Sequence, residues 1–114
     1  MSKDRDEMMR RIRADAFPSN NGSVLTCINL LNRSGFSPLE RVRVGVKNWG
    51  VEKSEFLDSV HFLIVAGYIE TRTIDGHVPG ADFADYDYAE LEVRASEKGI
   101  RLMQGSLSDE CVKV

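Results

Sequence analysis

The apolar residues of this chain recur at helical spacing in several segments before residue 66 and alternate singly with polar residues over 88–94. The clearest helical stripe has five bulky residues at positions i, i+1, i+4, i+7 and i+8: Phe56, Leu57, Val60, Leu63 and Ile64. This spacing places them on one face of an α-helix. Gly67 then permits the left-handed conformation that ends a helix without a Cβ clash. Because strand formers follow at Tyr68 and Ile69, the pattern predicts a helix that passes directly into a strand.

Two helices are predicted before residue 35. Residues 4–16 form the first, with a shared apolar face made by Met8, Met9, Ile12 and Ala16. Pro18 is expected to end it, because proline disfavours helical geometry in the residue before it. Residues 18–22 then form a break. Ser23 is expected to cap the second helix, which ends near residues 32–35.

Two more helices are predicted between residues 37 and 66. Ser37, Pro38 and Glu40 together make a capping-box start for a helix that runs to about residue 48. The helix that carries the five-residue stripe spans about 53–66. Three helices joined by short turns are typical of a helix-turn-helix core.

The remainder of the chain predicts a hairpin followed by a last helix. The first strand spans 68–74, a long loop covers 75–85 and the second strand spans 86–94. In the second strand, Ala89, Leu91 and Val93 are expected to be buried and the alternate residues exposed. Ser96 is expected to cap a helix over 97–104.

These patterns resemble the winged helix-turn-helix family. Residues 56–69 are similar to a recognition helix that enters the first strand of a wing, and residues 91–100 are similar to the second strand entering a C-terminal helix. The chain is most similar to small, phage-associated winged-helix proteins of the YjcQ type. The resemblance implies an α+β fold with a three-helix core, a two-stranded wing hairpin and extra helices at both ends. It divides the chain into an N-terminal helical arm (1–21), a winged-helix domain (22–104) and a flexible tail (105–114).

Composition narrows the function classes. The chain has 114 residues and a formal net charge of −3, which does not favour nucleic acid. However, residues 1–53 hold ten Lys or Arg against six Asp or Glu, whereas residues 54–114 hold five against twelve. The positive half could therefore face phosphate while the acidic half faces away. No apolar run is long enough to span a membrane, and the two cysteines suggest no disulfide framework, so a cytoplasmic location is expected.

The first functional hypothesis is a DNA-binding protein, a small transcriptional regulator of mobile-element type that binds double-stranded DNA and is compatible with homodimerisation. In this family the recognition helix enters the major groove. Basic side chains would contact phosphates and set the affinity and salt dependence, and small or imidazole side chains would face the bases. The candidates are Arg41, Arg43, Lys47, Lys53, Ser54, Ser59, His61, Arg10, Arg11 and Arg13.

The second hypothesis is a winged helix used for contact with a protein partner. The expected recognition helix is acidic, and its wing combines aspartates with aromatic residues. Aromatic residues beside acids suit a protein interface better than a DNA interface. The candidate residues are Asp58, Phe62, Phe83, Tyr86 and Tyr88. No nucleophile motif, phosphate loop, cofactor motif or zinc-ligand spacing occurs, so no enzyme activity, cofactor or metal is expected.

Overall fold

The first helix, α1, spans Ser2–Leu31 and passes through Pro18 without a break. The structure, a computed structural model, describes residues 2–31 and 35–114, and the side chains of all of these except residues 2, 3, 13 and 14. Because α1 is continuous through Pro18, the predicted break at 18–22 is wrong. Phe17 packs edge-to-face on Phe62, with ring centroids 5.3 Å apart, and Asn20 Nδ2 donates to Glu55 Oε2 at 2.9 Å. These contacts on both sides of the proline hold it within the helix.

The C-terminal segment lies across the middle of α1. The backbone N–H of Lys113 donates to the Pro18 carbonyl at 2.9 Å, and Asn21 Nδ2 donates to the Cys111 carbonyl at 2.8 Å. Val112 is buried. The structure therefore differs from the predicted flexible tail, and α1 runs through the proposed boundary at residue 21.

A two-residue strand, β1 (Ser37–Pro38), precedes helix α2 (Leu39–Lys47). The predicted capping box at Ser37 is wrong, because Ser37 is buried in this strand opposite Val93. Its Oγ donates to the Leu31 carbonyl at 3.0 Å, and the residue at the N-cap is Pro38. The predicted helix end at residues 32–34 lies outside the described residues.

Helix α3 spans Lys53–Val65 and docks its apolar stripe into the core, as predicted. Phe56, Val60 and Leu63 have no exposed surface, and Leu57 and Ile64 are half-buried at its edges. Gly67 has a φ of 81°, so the left-handed helix end is confirmed. The chain then enters the next strand within two residues.

The sheet has three antiparallel strands in the order β1-β3-β2. Strand β2 spans Ile69–Thr73 and β3 spans Leu91–Ala95. The predicted start of the second strand at residue 86 is wrong, because Tyr88–Glu90 form a 3₁₀ helix. The predicted alternation is also only partly right: Leu91 and Val93 are buried, but Ala89 is exposed and Glu92 is buried. Glu92 tolerates burial because Arg72 pairs with it at 2.5 Å.

The last helix, α4, spans Glu97–Met103. Its predicted cap is confirmed, since Ser96 Oγ accepts the N–H of Gly99 at 3.1 Å. Leu102 turns inward, whereas Ile100 is exposed. The described residues thus form an α+β domain in which α1, α2 and α3 share one core with a face of the three-stranded sheet. None of the helices in residues 2–31 and 35–114 combines the length and the apolar character needed to cross a bilayer.

Candidate interaction surface

The outward face of α3 is the centre of the candidate surface. Four residues at i, i+4, i+7 and i+11 lie opposite the buried stripe and are exposed: Ser54, Asp58, His61 and Val65. Val65 is a large apolar residue with 73% of its surface exposed. None of the four is Lys or Arg, so this face offers a duplex one carboxylate and no permanent cation.

Aromatic residues border this face and make it a groove. Phe17 from α1 and Phe62 from α3 form the edge-to-face pair along one flank. Leu57 lies on the other flank of α3, and Phe83 reaches the groove from the loop between β2 and β3. The groove has a volume of about 640 Å³. Its lining is therefore mainly apolar, with Asp58 and His61 as its polar groups.

The loop between β2 and β3, predicted as a long loop over 75–85, folds back along the free edge of β2. The N–H of Gly80 donates to the Thr71 carbonyl at 2.9 Å, and Thr71 Oγ1 donates to the Ala81 carbonyl at 2.5 Å. Ala81 is buried as a result. This return path carries Phe83 to the groove instead of projecting it away from the domain.

The structure brings together three of the five residues predicted for protein contact. Asp58, Phe62 and Phe83 line the groove. Tyr88 instead packs edge-to-face on Phe56, with ring centroids 6.3 Å apart. Tyr86 is half-buried against the core and does not line the groove.

Tyr88 belongs to a polar cluster on α2. Arg43 Nη2 donates to Glu40 Oε1 at 2.5 Å, and this hydrogen bond, together with one from Tyr88, lowers the pKa of Glu40 to about 2. The hydrogen bond to Glu40 raises the pKa of Tyr88. Lys53 Nζ lies 5.2 Å from the centre of the Tyr88 ring. Two of the predicted phosphate contacts, Arg43 and Lys53, are thus engaged within the domain.

The other basic candidates are scattered. Arg41 and Lys47 are exposed on α2. Arg41 and Arg43 do not form one basic patch, because residues two apart on a helix point in directions that differ by roughly 160°. Arg10 and Arg11 lie on the first half of α1, far along the chain from α3. The side chain of Arg13 lies outside the described residues.

The polar residues on α3 that were predicted to face the bases fall into exposed and buried positions. Ser54 and His61 are on its outward face. Ser59 is fully buried, and its Oγ has no hydrogen-bond partner within the described residues. The expectation that Ser59 faces a duplex is wrong, because it shares the inward face with Phe56 and Leu63.

The basic side chains near the loop between β2 and β3 also contact carboxylates of the same domain. The Arg72 guanidinium lies 3.9 Å from the centre of the Phe36 ring and pairs with Glu92. His77 Nε2 lies 3.6 Å from the same carboxylate. Arg94 pairs with Glu70 at 2.6 Å. This sheet face is therefore nearly balanced in charge.

Phe17 and Val65 were not among the residues predicted for this surface. Phe17 was not predicted because the first helix was expected to end before Pro18, so no helical contact of Phe17 with α3 was expected. Val65 carried a usable signal, because it lies eleven residues after Ser54 and so falls on a face where polar residues were expected. Among residues with described side chains, no three His, Cys, Asp or Glu side chains cluster closely enough to hold a metal ion. Comparison of the chain with protein-family models, with curated proteins and with solved structures finds no match.

Proposed function

We propose that this protein is a winged-helix domain that binds a protein partner through the outward face of α3. The winged-helix assignment is supported by the order of elements, in which α2 and α3 are followed directly by a hairpin, and by the short strand β1 beside β3. It is also supported by the sharp passage from α3 into β2 at Gly67.

One observation carries the choice of a protein partner. The face of α3 that would enter a major groove presents Asp58 and Val65 between aromatic borders, and it has no Lys or Arg. A carboxylate is repelled by phosphates, whereas an apolar groove with aromatic walls is typical of a protein interface. The partner expected here inserts an apolar side chain between Phe62 and Phe83 and places a basic group beside Asp58.

Affinity capture with two α3 variants tests the proposal. Val65→Glu puts a charge into the groove, and Asp58→Lys reverses the charge of the side chain at position 58. Both positions are exposed, so the variants should keep the fold. A matched control, Glu97→Lys on α4, makes the same charge change as Asp58→Lys at an exposed site away from the groove. A genuine partner is captured by the wild type and the control and is lost with both α3 variants. Equal capture by all four proteins contradicts the proposal.

A DNA-binding regulator is the second candidate, favoured by the exposed Arg41 and Lys47 on α2. It predicts that a fluorescent random duplex binds at low salt and is released steeply as salt rises. Anisotropy titration separates the two candidates. Binding that falls on Arg41→Ala and Lys47→Ala would support DNA, and the absence of binding at low salt would remove this candidate.

A further inference from the structure

We propose that the first half of α1 pairs with the same segment of a second copy of this chain, in an antiparallel arrangement. The segment is Asp4–Ile12, and every residue in it is exposed. It contains an apolar stripe that includes Met8, Met9 and Ile12, which are 63%, 45% and 54% exposed. Three large apolar side chains this open on one helix are unusual for a surface that stays in water.

The domain of the same chain does not cover this stripe. Ser19 and Leu30 follow Ile12 by seven and eighteen residues, which are close to whole numbers of helical turns, so they lie on the same side of α1. Both are exposed, Leu30 by 58%. The side of α1 that carries Ile12 therefore faces away from α2 and α3. Since every residue of Asp4–Ile12 is exposed, the described part of the domain covers none of the stripe, and a second molecule is free to pack on it.

The order of charges along the segment identifies that molecule as a second copy. The three acidic residues, Asp4, Asp6 and Glu7, precede Arg10 and Arg11, and Arg5 is the basic residue among them. When a second copy lies antiparallel, with the axis of symmetry near Met8, Asp4 of each chain faces Arg11 of the other. In a parallel pair, Asp4 of one chain and Arg11 of the other are displaced by seven residues, about 10 Å, along the helices and cannot pair.

The local contacts leave these groups available. Arg11 Nη2 is 3.8 Å from Glu7 Oε1, and the two side chains are 79% and 63% exposed. An ion pair this open contributes little, so Arg11 can turn to a carboxylate of the other chain. Arg5 lies on the stripe and interrupts it, but its aliphatic stem can pack beside Ile12 of the other copy while its guanidinium stays in water.

The geometry avoids a collision between the two domains. Antiparallel pairing about Met8 places them at opposite ends of the two helices, because each domain begins near Phe17. The contact is short, and such interfaces are weak, so we expect a dissociation constant on the order of 100 µM. The dimer would present two α3 faces at a fixed separation.

Sedimentation velocity over a concentration series tests the pairing, with charge exchange as the decisive comparison. Asp4→Arg alone and Arg11→Asp alone should each weaken the dimer several-fold, because each places like charges opposite one another. Mixing these two variants restores both ion pairs, so a heterodimer should form more tightly than either homodimer. Met8→Glu with Ile12→Glu should abolish association, and Val65→Glu on α3 should leave it unchanged. Circular dichroism checks that every variant is folded.

The direction of pairing has its own test. A spin label at Ser19, in a chain with Cys111→Ser, reports the distance between the two copies. Antiparallel pairing places the labels about 35 Å apart along the helices, whereas parallel pairing places them about 10 Å apart. A short distance overturns the antiparallel arrangement. A wild type that stays monomeric at the highest concentration, or a mixture of variants that shows no gain, overturns the dimer itself, and neither result bears on the α3 groove.

Discussion

Gly22 is the residue at which the C-terminal segment meets α1 most closely. A Cβ added there would lie 1.6 Å from the Lys113 carbonyl oxygen, so no side chain fits without moving the segment. In an open helix, Gly→Ala stabilises, because alanine has the higher helix propensity. Here we expect Gly22→Ala to lower the free energy of unfolding by about 2 kcal/mol.

Chemical denaturation of Gly22→Ala measures this loss, with Ser19→Ala, at an exposed position of the same helix, as the control. The control should change stability by less than about 0.5 kcal/mol. A Gly22→Ala protein more stable than the wild type would show that the segment does not lie against α1.

The hydrogen bond from Tyr68 Oη to Asp109 Oδ2 ties the same segment to the start of β2. Burial and this hydrogen bond raise the pKa of Tyr68 to about 12, and the hydrogen bond lowers the pKa of Asp109. A lowered carboxyl pKa stabilises the fold above its unfolded value of 3.8 and loses that effect as the pH falls through the folded value. A raised tyrosine pKa stabilises the fold below 10.0 and loses that effect as the pH rises towards 12.

The stability difference between the wild type and Tyr68→Phe should therefore be largest and constant between about pH 4 and about pH 10, and should shrink on both sides. Thermal melts from about pH 2 to about pH 12 measure this difference. A difference that stays constant down to pH 2 would mean that the hydrogen bond does not stabilise the fold through the Asp109 carboxylate.

Pro18 lies inside α1, where contacts with neighbouring elements hold a residue that is unfavourable in an isolated helix. Proline in a helix lacks the N–H that would bond four residues back and clashes with that carbonyl, which costs about 3 kcal/mol in an isolated helix. Since α1 is continuous here, Pro18→Ala should remove this cost and stabilise the first half of α1. Amide exchange of residues 4–17 should slow at least tenfold, with residues 97–103 of α4 as the internal reference. Unchanged exchange would show that the helix is not strained at this point.

How far sequence alone could predict these elements depended on whether their signals were local. The stripe from Phe56 to Ile64, the glycine at 67 and the cap at Ser96 were sufficient, because side-chain spacing and end residues fix those helices. Strand β1 and the buried Glu92 could not be predicted, since both depend on pairing with residues far along the chain. The α3 groove was predicted in part, through Asp58, Phe62 and Phe83, but Phe17 reaches it only because tertiary contacts carry α1 past Pro18.

At the scale of the whole molecule, none of the described basic side chains of the positive half lies on the outward face of α3. Arg43 is paired with Glu40, Lys53 lies over Tyr88, and Arg72 of β2 is paired with Glu92. The α3 face itself carries Asp58. If the winged-helix architecture is right and only this chemistry prevents DNA binding, adding cations to α3 should confer it.

A triple variant of the outward face of α3 makes this test: Asp58→Lys, His61→Arg and Val65→Lys. Since each phosphate contact adds about 0.9 to the slope of log affinity against log salt, three contacts should give a slope near −2.7 for a random duplex. The control adds the same net charge at exposed sites on and after α4: Glu97→Lys, Gln104→Lys and Ser108→Lys. Anisotropy titration should show a clearly weaker and shallower response for the control. Equal binding by both variants would mean that net charge alone attracts the duplex, and that the outward face of α3 does not fit a major groove better than another charged surface does.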